Sequence, residues 1–277
     1  MKLVLIALGL LISSSAFAIE VKILSYNVYM LPKPLKSSMQ KIRIHQIASA
    51  LKYSDYDLIF FEEAFMKSFR DEVKKQMSAQ YPYSYYLGKK IPFSIFGSGL
   101  LTMSRHPIKL IDKTRFKHCH GVDCWAAKGS PLIDVTLPGG KHVQFAPTHL
   151  QAGTKYGPIR LRQITQIKKM LVKNVKTNVP QVVVGDLNLD QTEQEFEAGQ
   201  TIVNMKALRL SGEIKTTSSL KNECFKTGTI KRWIDHVWVD SNFKPSSTVV
   251  VKPFEFIHEG KTCPMSDHYA VESVLRL

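Results

Sequence analysis

A chain of 277 residues with 44% hydrophobic and 22% charged residues can bury a sizeable core, and it is normal in composition for a soluble globular protein. There is no low-complexity segment and no internal repeat, which excludes a disordered chain or a repeat array. The formal net charge of +15 favours anionic partners (nucleic acid, an acidic lipid surface, a phosphorylated substrate) without choosing among them.

The opening "MKLVLIALGLLISSSAFA" places Lys2 before an apolar run over 3–12 and ends in a small-x-small triplet, Ala16-Phe17-Ala18. This pattern is expected to be a signal peptide cleaved after Ala18, and the run is too short to span a membrane. Its removal takes away Lys2 alone and leaves a charge of +14. The mature protein is then secreted or periplasmic. Residues 19–277 carry no Pro/Gly/Ser-rich linker, so one catalytic-sized domain is expected.

The first strand-like run, 21–28, ends in Asn27. An amphipathic helix follows over 38–54, with Ile44, Ile47, Ala48 and Leu51 on one face. The run 56–64 ends in Glu62 and Glu63, and a helix is expected over about 66–79. Further strands are expected at 98–104, 131–137 and 142–150, the last carrying His149. A helix over 157–174 has Pro158 near its start and Ile164, Ile167, Met170 and Leu171 on one face. Then come strands at 181–188, 233–239, 247–251 and 268–277. The fold class this implies is α/β: a four-layer α/β/β/α sandwich, with two packed mixed sheets flanked by helices.

Four cysteines remain in a chain expected to be exported, which suits two disulfides. Three pairings are possible. Cys119 with Cys124 closes a small loop and leaves Cys224 with Cys263, the favoured arrangement. The spacing matches no usual zinc pattern.

Polar residues end strand after strand: Asn27, Glu62 and Glu63, His149, Asp186 and Asn188, Asp235 inside "WIDHVWV", then Asp267 and His268. Taken singly, each reads as a cap, a turn or a satisfied histidine. In "PQVVVGDLNLD", Asp186 and Asn188 share a face if the chain is extended, yet Gly185, Asp186 and Asn188 also suit a turn. Together the set has a common chemistry. Cleaving a phosphodiester needs an activated water, a cation for charge on the phosphoryl oxygens, and an acid for the leaving alkoxide. Glu and Asn oxygens suit Mg²⁺, two histidines supply base and acid, and a buried Asp can orient one imidazole.

The pieces "SYNVYMLP", "FFEEAF", "SGLLTMSRHPI", "PTHLQAG", "VVVGDLNLD", "WIDHVWV" and "MSDHYAVES" occur in an order that resembles the endonuclease/exonuclease/phosphatase superfamily, with the fold of pancreatic deoxyribonuclease. Within it, "NVYMLP", "THLQA", Lys128-Gly129 in "AAKGSPLIDVTL" and "PIRLRQITQI" are most similar to secreted bacterial neutral sphingomyelinases. The resemblance implies hydrolysis of sphingomyelin to ceramide and phosphocholine at a membrane surface by a monomer. It implies one or two Mg²⁺ ions, with Mn²⁺ or Co²⁺ as substitutes. Glu63, aided by Asn27 and Asp267, would hold the metal, Glu63 being preferred to Glu62 for its place before "AF". His268, oriented by Asp235, would be the general base. His149 would protonate the leaving oxygen or stabilise its charge. Asp186 and Asn188 would position the water and a phosphoryl oxygen.

One departure concerns the membrane. Toxin-type relatives often carry an aromatic hairpin before the last motif, and the stretch 251–265 here is short. Phe254, Phe256 and Ile257 suit either membrane or core, and "IPFSIFG" at 91–97 is a second apolar loop. Three other readings stand beside the first: a secreted nuclease on the same scaffold, a lipid or inositol phosphate phosphatase, and a binding protein without turnover.

Overall fold

A computed structural model describes residues 19–32, 35, 39–89, 94–214, 217–218, 224, 232–244 and 246–277. The expected cleavage site after Ala18 and part of the 91–97 loop lie outside these residues. In chain order the strands begin β1 (Glu20–Met30), β2 (Leu58–Ala64), β3 (Tyr83–Tyr86), β4 (Leu101–Ser104), β5 (Ile108–Arg115) and β6 (Gly129–Thr136). They continue β7 (His142–His149), β8 (Gln181–Asp186), β9 (Lys206–Ala207), β10 (Arg209–Leu210) and β11 (Asp235–Val239). The last are β12 (Thr248–Lys252), β13 (Glu255–His258), β14 (Lys261–Pro264) and β15 (Ala270–Arg276). The helices are α1 (Gln40–Leu51), α2 (Lys67–Met77), α3 (Gly157–Lys173) and α4 (Gln194–Val203).

One sheet runs β10-β12-β15-β1-β2-β4-β3, the other β5-β6-β7-β8-β11-β9, and β13 and β14 form a separate hairpin. Successive strand residues face opposite ways. In β1, Val21 and Ile23 therefore enter the layer between the sheets, with Leu58 and Phe60 of β2, Val182 and Val184 of β8, and Val237 and Val239 of β11. Leu24, Tyr26 and Val28 point the other way, against Ile44, Ile47, Phe69 and Val73 of α1 and α2. On the far side, Ile164 and Ile167 of α3 and Phe196 of α4 pack with Trp238. Three apolar layers thus separate four structural ones, and the expected α/β/β/α sandwich stands. Among the described residues, no helix is long and apolar enough to cross a membrane.

The elements missing from the sequence reading lack its signals. No side chain of β5 is fully buried, so this edge strand shows no clean alternation. Helix α4 contains Gly199, a poor helix former, at the point where a Cβ would crowd the Trp238 ring. Both favoured disulfides are present, Cys119–Cys124 and Cys224–Cys263. In the hairpin, Phe256 is buried and Phe254 packs on Tyr26 at 5.6 Å, which leaves Ile257 as the exposed apolar side chain.

Candidate active site

The layer between the sheets is apolar along most of its length and turns polar at one end. The change follows strand parity. After Val21 and Ile23 come Ser25 and Asn27; after Leu58 and Phe60 comes Glu62; after Val182 and Val184 comes Asp186. Pairing then gathers these ends. Parallel β1 and β2 set Asn27 opposite Glu62. Asp186 is flanked by His149 from parallel β7 and by Asp235 from antiparallel β11. Antiparallel β15 begins at the same edge and brings His268 with it.

Asp186 is the meeting point. Its Oδ2 accepts from Asn27 Nδ2 at 3.0 Å and lies 3.5 Å from His149 Nε2 and 3.9 Å from His268 Nε2. The Asn27 amide also donates to Glu63 Oε1 at 3.3 Å. His268 Nδ1 donates to Asp235 Oδ2 at 2.9 Å, which turns Nε2 toward the shared space. Thr217 Oγ1 in turn accepts the backbone N–H groups of Ile234 and Asp235, at 3.1 and 3.2 Å. All eight predicted residues gather at this edge: Asn27, His149, Asp186, Asn188, Asp235 and His268 are buried, and Glu63 and Asp267 are close enough to shift the ionisation of their neighbours. Asn188 is placed differently from the extended-chain expectation. The strand stops at Asp186, and Asn188 adopts a left-handed backbone (φ 51). Its N–H donates to Asp186 Oδ1 at 3.0 Å, and its side chain donates to Leu150 O at 3.3 Å. Turn and polar site are therefore the same feature.

The two neighbouring glutamates divide by parity. Glu62 points between the sheets, where Ser25 Oγ donates to its Oε1 at 2.8 Å. Glu63 reaches the Asn27 side only because its own backbone is left-handed (φ 54), a strained conformation of the kind that collects at functional sites. Gly185 makes room for Glu62. A Cβ there would overlap the Thr148 carbonyl oxygen and come within 3.1 Å of Glu62 Oε1, and its φ of 134 suits only glycine.

Electrostatics separate the groups. Burial, reinforced by Asp235 and Asp186, raises Glu62 well above the usual carboxylate range. Burial and the nearby Asp267 push Glu63 up to about 8. Burial also raises Asp267. Burial and Lys128 push His149 down to about 3, so it is neutral in the free protein. For His268, burial opposes the charge, but Asp235, Asp186 and Asp267 outweigh it and raise the imidazole well above its ordinary value.

This excess of carboxylates fits a hard divalent cation. Glu62 Oε2 and Glu63 Oε2 are buried with no hydrogen-bond partner among the described residues, and oxygen donors of this kind suit Mg²⁺. Asp186, Asp235 and His268 also bring ligand atoms within 4.8 Å of one another. The Glu63 carboxylate and this Asp186, Asp235 and His268 group both offer ligand atoms for a cation.

Arg43 and Ser25, which support the site, carried no role in the sequence analysis, and Lys128 entered it only through its Lys-Gly segment. Arg43 is buried on the Ile44 face of α1 and donates to the carbonyls of Val28, Tyr29 and Met265, the last at 2.8 Å, tying the ends of β1 and the 265–268 turn together. No periodicity signals that role. Ser25 was legible, since it shares a strand face with Asn27. Lys128 donates to Asp123 Oδ2 and Leu150 O, both at 2.9 Å, beside His149.

The family model described as "Endonuclease/Exonuclease/phosphatase family" matches residues 24–268. Sphingomyelinase C 2 of Leptospira interrogans is 28% identical over 231 residues, covering 74% of this chain and 36% of the relative. A phospholipase C of Staphylococcus aureus is 25% identical, covering 92% of this chain and 87% of the relative. A solved structure of a mutant Staphylococcus aureus beta toxin with bound magnesium ions aligns with a TM-score of 0.77 at 23% identity, covering 92% and 99% of the two chains. The chain spans less than half the length of several of the relatives it matches. It belongs to the endonuclease/exonuclease/phosphatase family.

Proposed function

We propose that this member of the endonuclease/exonuclease/phosphatase family is an exported, Mg²⁺-dependent phosphodiesterase that hydrolyses sphingomyelin to ceramide and phosphocholine. The observation that carries the reading is the convergence of His149 and His268 on Asp186, beside a Glu63 carboxylate oxygen with no donor among the described residues. Similarity to sphingomyelinases supports the choice of substrate.

Glu63, with Asn27 and Asp267 at its side, would hold the cation. A bound Mg²⁺ would supply positive charge to the phosphoryl oxygens and to the carboxylates around His268, favouring its neutral form. His268, oriented by Asp235, takes a proton from the attacking water as its oxygen bonds to phosphorus. Asn27, Asp186 and Asn188 hold the water and a phosphoryl oxygen in line. The bond from phosphorus to the ceramide oxygen breaks on the opposite side. The substrate's anionic phosphate raises the proton affinity of His149, which then protonates the leaving oxygen.

The test is a paired assay of the purified mature protein on sphingomyelin vesicles and on plasmid DNA, each with Mg²⁺ or EDTA. The expected result is Mg²⁺-dependent release of phosphocholine, lost in His268→Ala, with the DNA intact. Cut DNA beside intact lipid would assign the same site to a nuclease. Inactivity on both would direct attention to phosphomonoesters and then to binding without turnover.

A further inference from the structure

At the catalytic edge, two loops outside the site are fastened together. Ile95 N and Phe96 N both donate to Trp125 O at 2.9 Å, and Ala127 N donates to Phe96 O at 3.1 Å. The second loop is a 3₁₀ turn over Gly121–Trp125, closed by the Cys119–Cys124 disulfide. Gln151 donates to His120 O and accepts from His120 N, while Gln163 donates to His118 O at 2.8 Å. The segment is thereby held to α3. On this braced base three apolar side chains face outward: Ile95 is 56% exposed, Val122 54% and Trp125 41%. Large apolar groups held out by a disulfide-locked loop mark a contact surface.

A second feature starts where the same segment leaves β5. A cleft of about 590 Å³ runs between β5 and α3, lined by Lys113, Lys117, His118, Arg162, Lys169 and Lys173. Of the lysines and arginine, Lys173 is paired with Asp112 at 2.9 Å. Lys113, Lys117, Arg162 and Lys169 have no carboxylate partner among the described residues. Lys117 and His118, which line the cleft, directly precede the Cys119–Cys124 loop, so the basic cleft and the apolar prong share one segment. The turn that carries Val122 and Trp125 is tied to the chain just past His149: Asp123 Oδ2 accepts from Ala152 N at 2.7 Å and from Lys128 Nζ at 2.9 Å, and Lys128 also donates to Leu150 O.

We propose that this combined surface docks the protein on a phospholipid membrane carrying anionic headgroups. Ile95, Val122 and Trp125 enter the acyl boundary, and the basic cleft receives lipid phosphates. The inference deepens the lipid-phosphodiesterase reading and rests on it for its biological sense. The β13–β14 hairpin is a weaker candidate, because its exposed Ile257 stands among His258, Glu259 and Lys261 and its aromatic side chains are packed inward.

The test uses phosphatidylcholine vesicles with and without phosphatidylserine, some carrying brominated acyl chains. Trp233 and Trp238 are buried, so quenching by bromine reports Trp125. Quenching is expected on phosphatidylserine vesicles and absent in Trp125→Ala. The triple variant Ile95→Ser, Val122→Ser, Trp125→Ser should lower vesicle binding by at least about 10-fold. The variant Lys117→Glu, Arg162→Glu, Lys169→Glu should lose the preference for phosphatidylserine, at about fivefold per residue. Unquenched Trp125 on pelleted vesicles, or variants that bind like the parent, would overturn the proposal. So would a cleft that inorganic phosphate fills without weakening vesicle binding, or one that holds duplex DNA more tightly than vesicles. Hydrolysis of the soluble diester bis(p-nitrophenyl) phosphate separates the two readings. It should survive in both triple variants, and Asp235→Asn should still dock. An inactive parent that still docks sinks the catalytic reading alone, and an active parent that does not dock sinks the docking face alone.

Discussion

His149 and His268 reach the same Asp186 oxygen from different sheets, at 3.5 and 3.9 Å, yet burial and Lys128 keep the first neutral while the surrounding carboxylates favour the charged form of the second. Both are buried, so desolvation works against the imidazolium in each. Their neighbours differ. His268 donates to Asp235 at 2.9 Å and feels Asp186 and Asp267 as well. His149 faces Lys128, and Asp186 is the acid that helps it among the described residues. Burial alone does not set a histidine's charge; the nearest counter-charge does. One site can thus hold a neutral and a charged imidazole a few ångströms apart, the separation that acid–base chemistry requires.

The largest effect should come from making His268 resemble His149. Asp235→Asn keeps the shape but removes the charge and the correct tautomer. Turnover should fall by about 10³- to 10⁴-fold, and the His268 titration followed by NMR should move down. Full turnover would remove this pair from the chemistry. Gly185→Ala attacks the floor common to both histidines, since the new methyl meets the Thr148 carbonyl and the Glu62 carboxylate. A loss of about 3 kcal/mol is expected in urea unfolding. An unchanged midpoint would mean that the sheets part easily there.

Glu63→Gln removes one carboxylate from the His268 side. Activity should drop roughly 100-fold, and Mg²⁺ affinity by calorimetry should weaken by about 10- to 100-fold. Unaltered Mg²⁺ binding would shift the cation to the Asp186, Asp235 and His268 group. The smallest effect tests the converse change, making His149 resemble His268. Lys128→Met should raise the His149 titration from its position near 3 and cost roughly 10-fold in turnover. The sign also appears in stability. An unfolded histidine binds a proton below about 6.5, while folded His149 refuses it down to about 3. His149 therefore lowers stability as pH falls through that window. The stability difference between about pH 7 and pH 4 should shrink in Lys128→Met, as read from urea midpoints, and an unchanged difference would disconnect Lys128 from His149.

Much of this site was legible in the chain. Val21, Ile23, Ser25 and Asn27 stand two apart, as do Leu58, Phe60 and Glu62, and Val182, Val184 and Asp186. Each series says that one strand face is apolar and then becomes polar, and the ordered motifs identify which ends meet. The Cys119–Cys124 pairing was also local, closing a loop with a sequence separation of 5. Other features were not legible. Parity puts Glu62 between the sheets, but only the left-handed turn at Glu63 brings the second carboxylate beside Asn27. The same kind of turn at Asn188 decided between the shared strand face and the turn, both of which the sequence left open.

The sequence by itself determined the alternation, the helix faces and the chemistry on offer, because these depend on residues a few positions apart. Only the tertiary structure decided which groups are charged and which oxygens lack a donor. Asn27 and Asp186 are 159 positions apart, and His268 and Asp235 are 33 apart. Charge and hydrogen bonding act through space between such residues, in a buried layer that exists only once both sheets have closed over it.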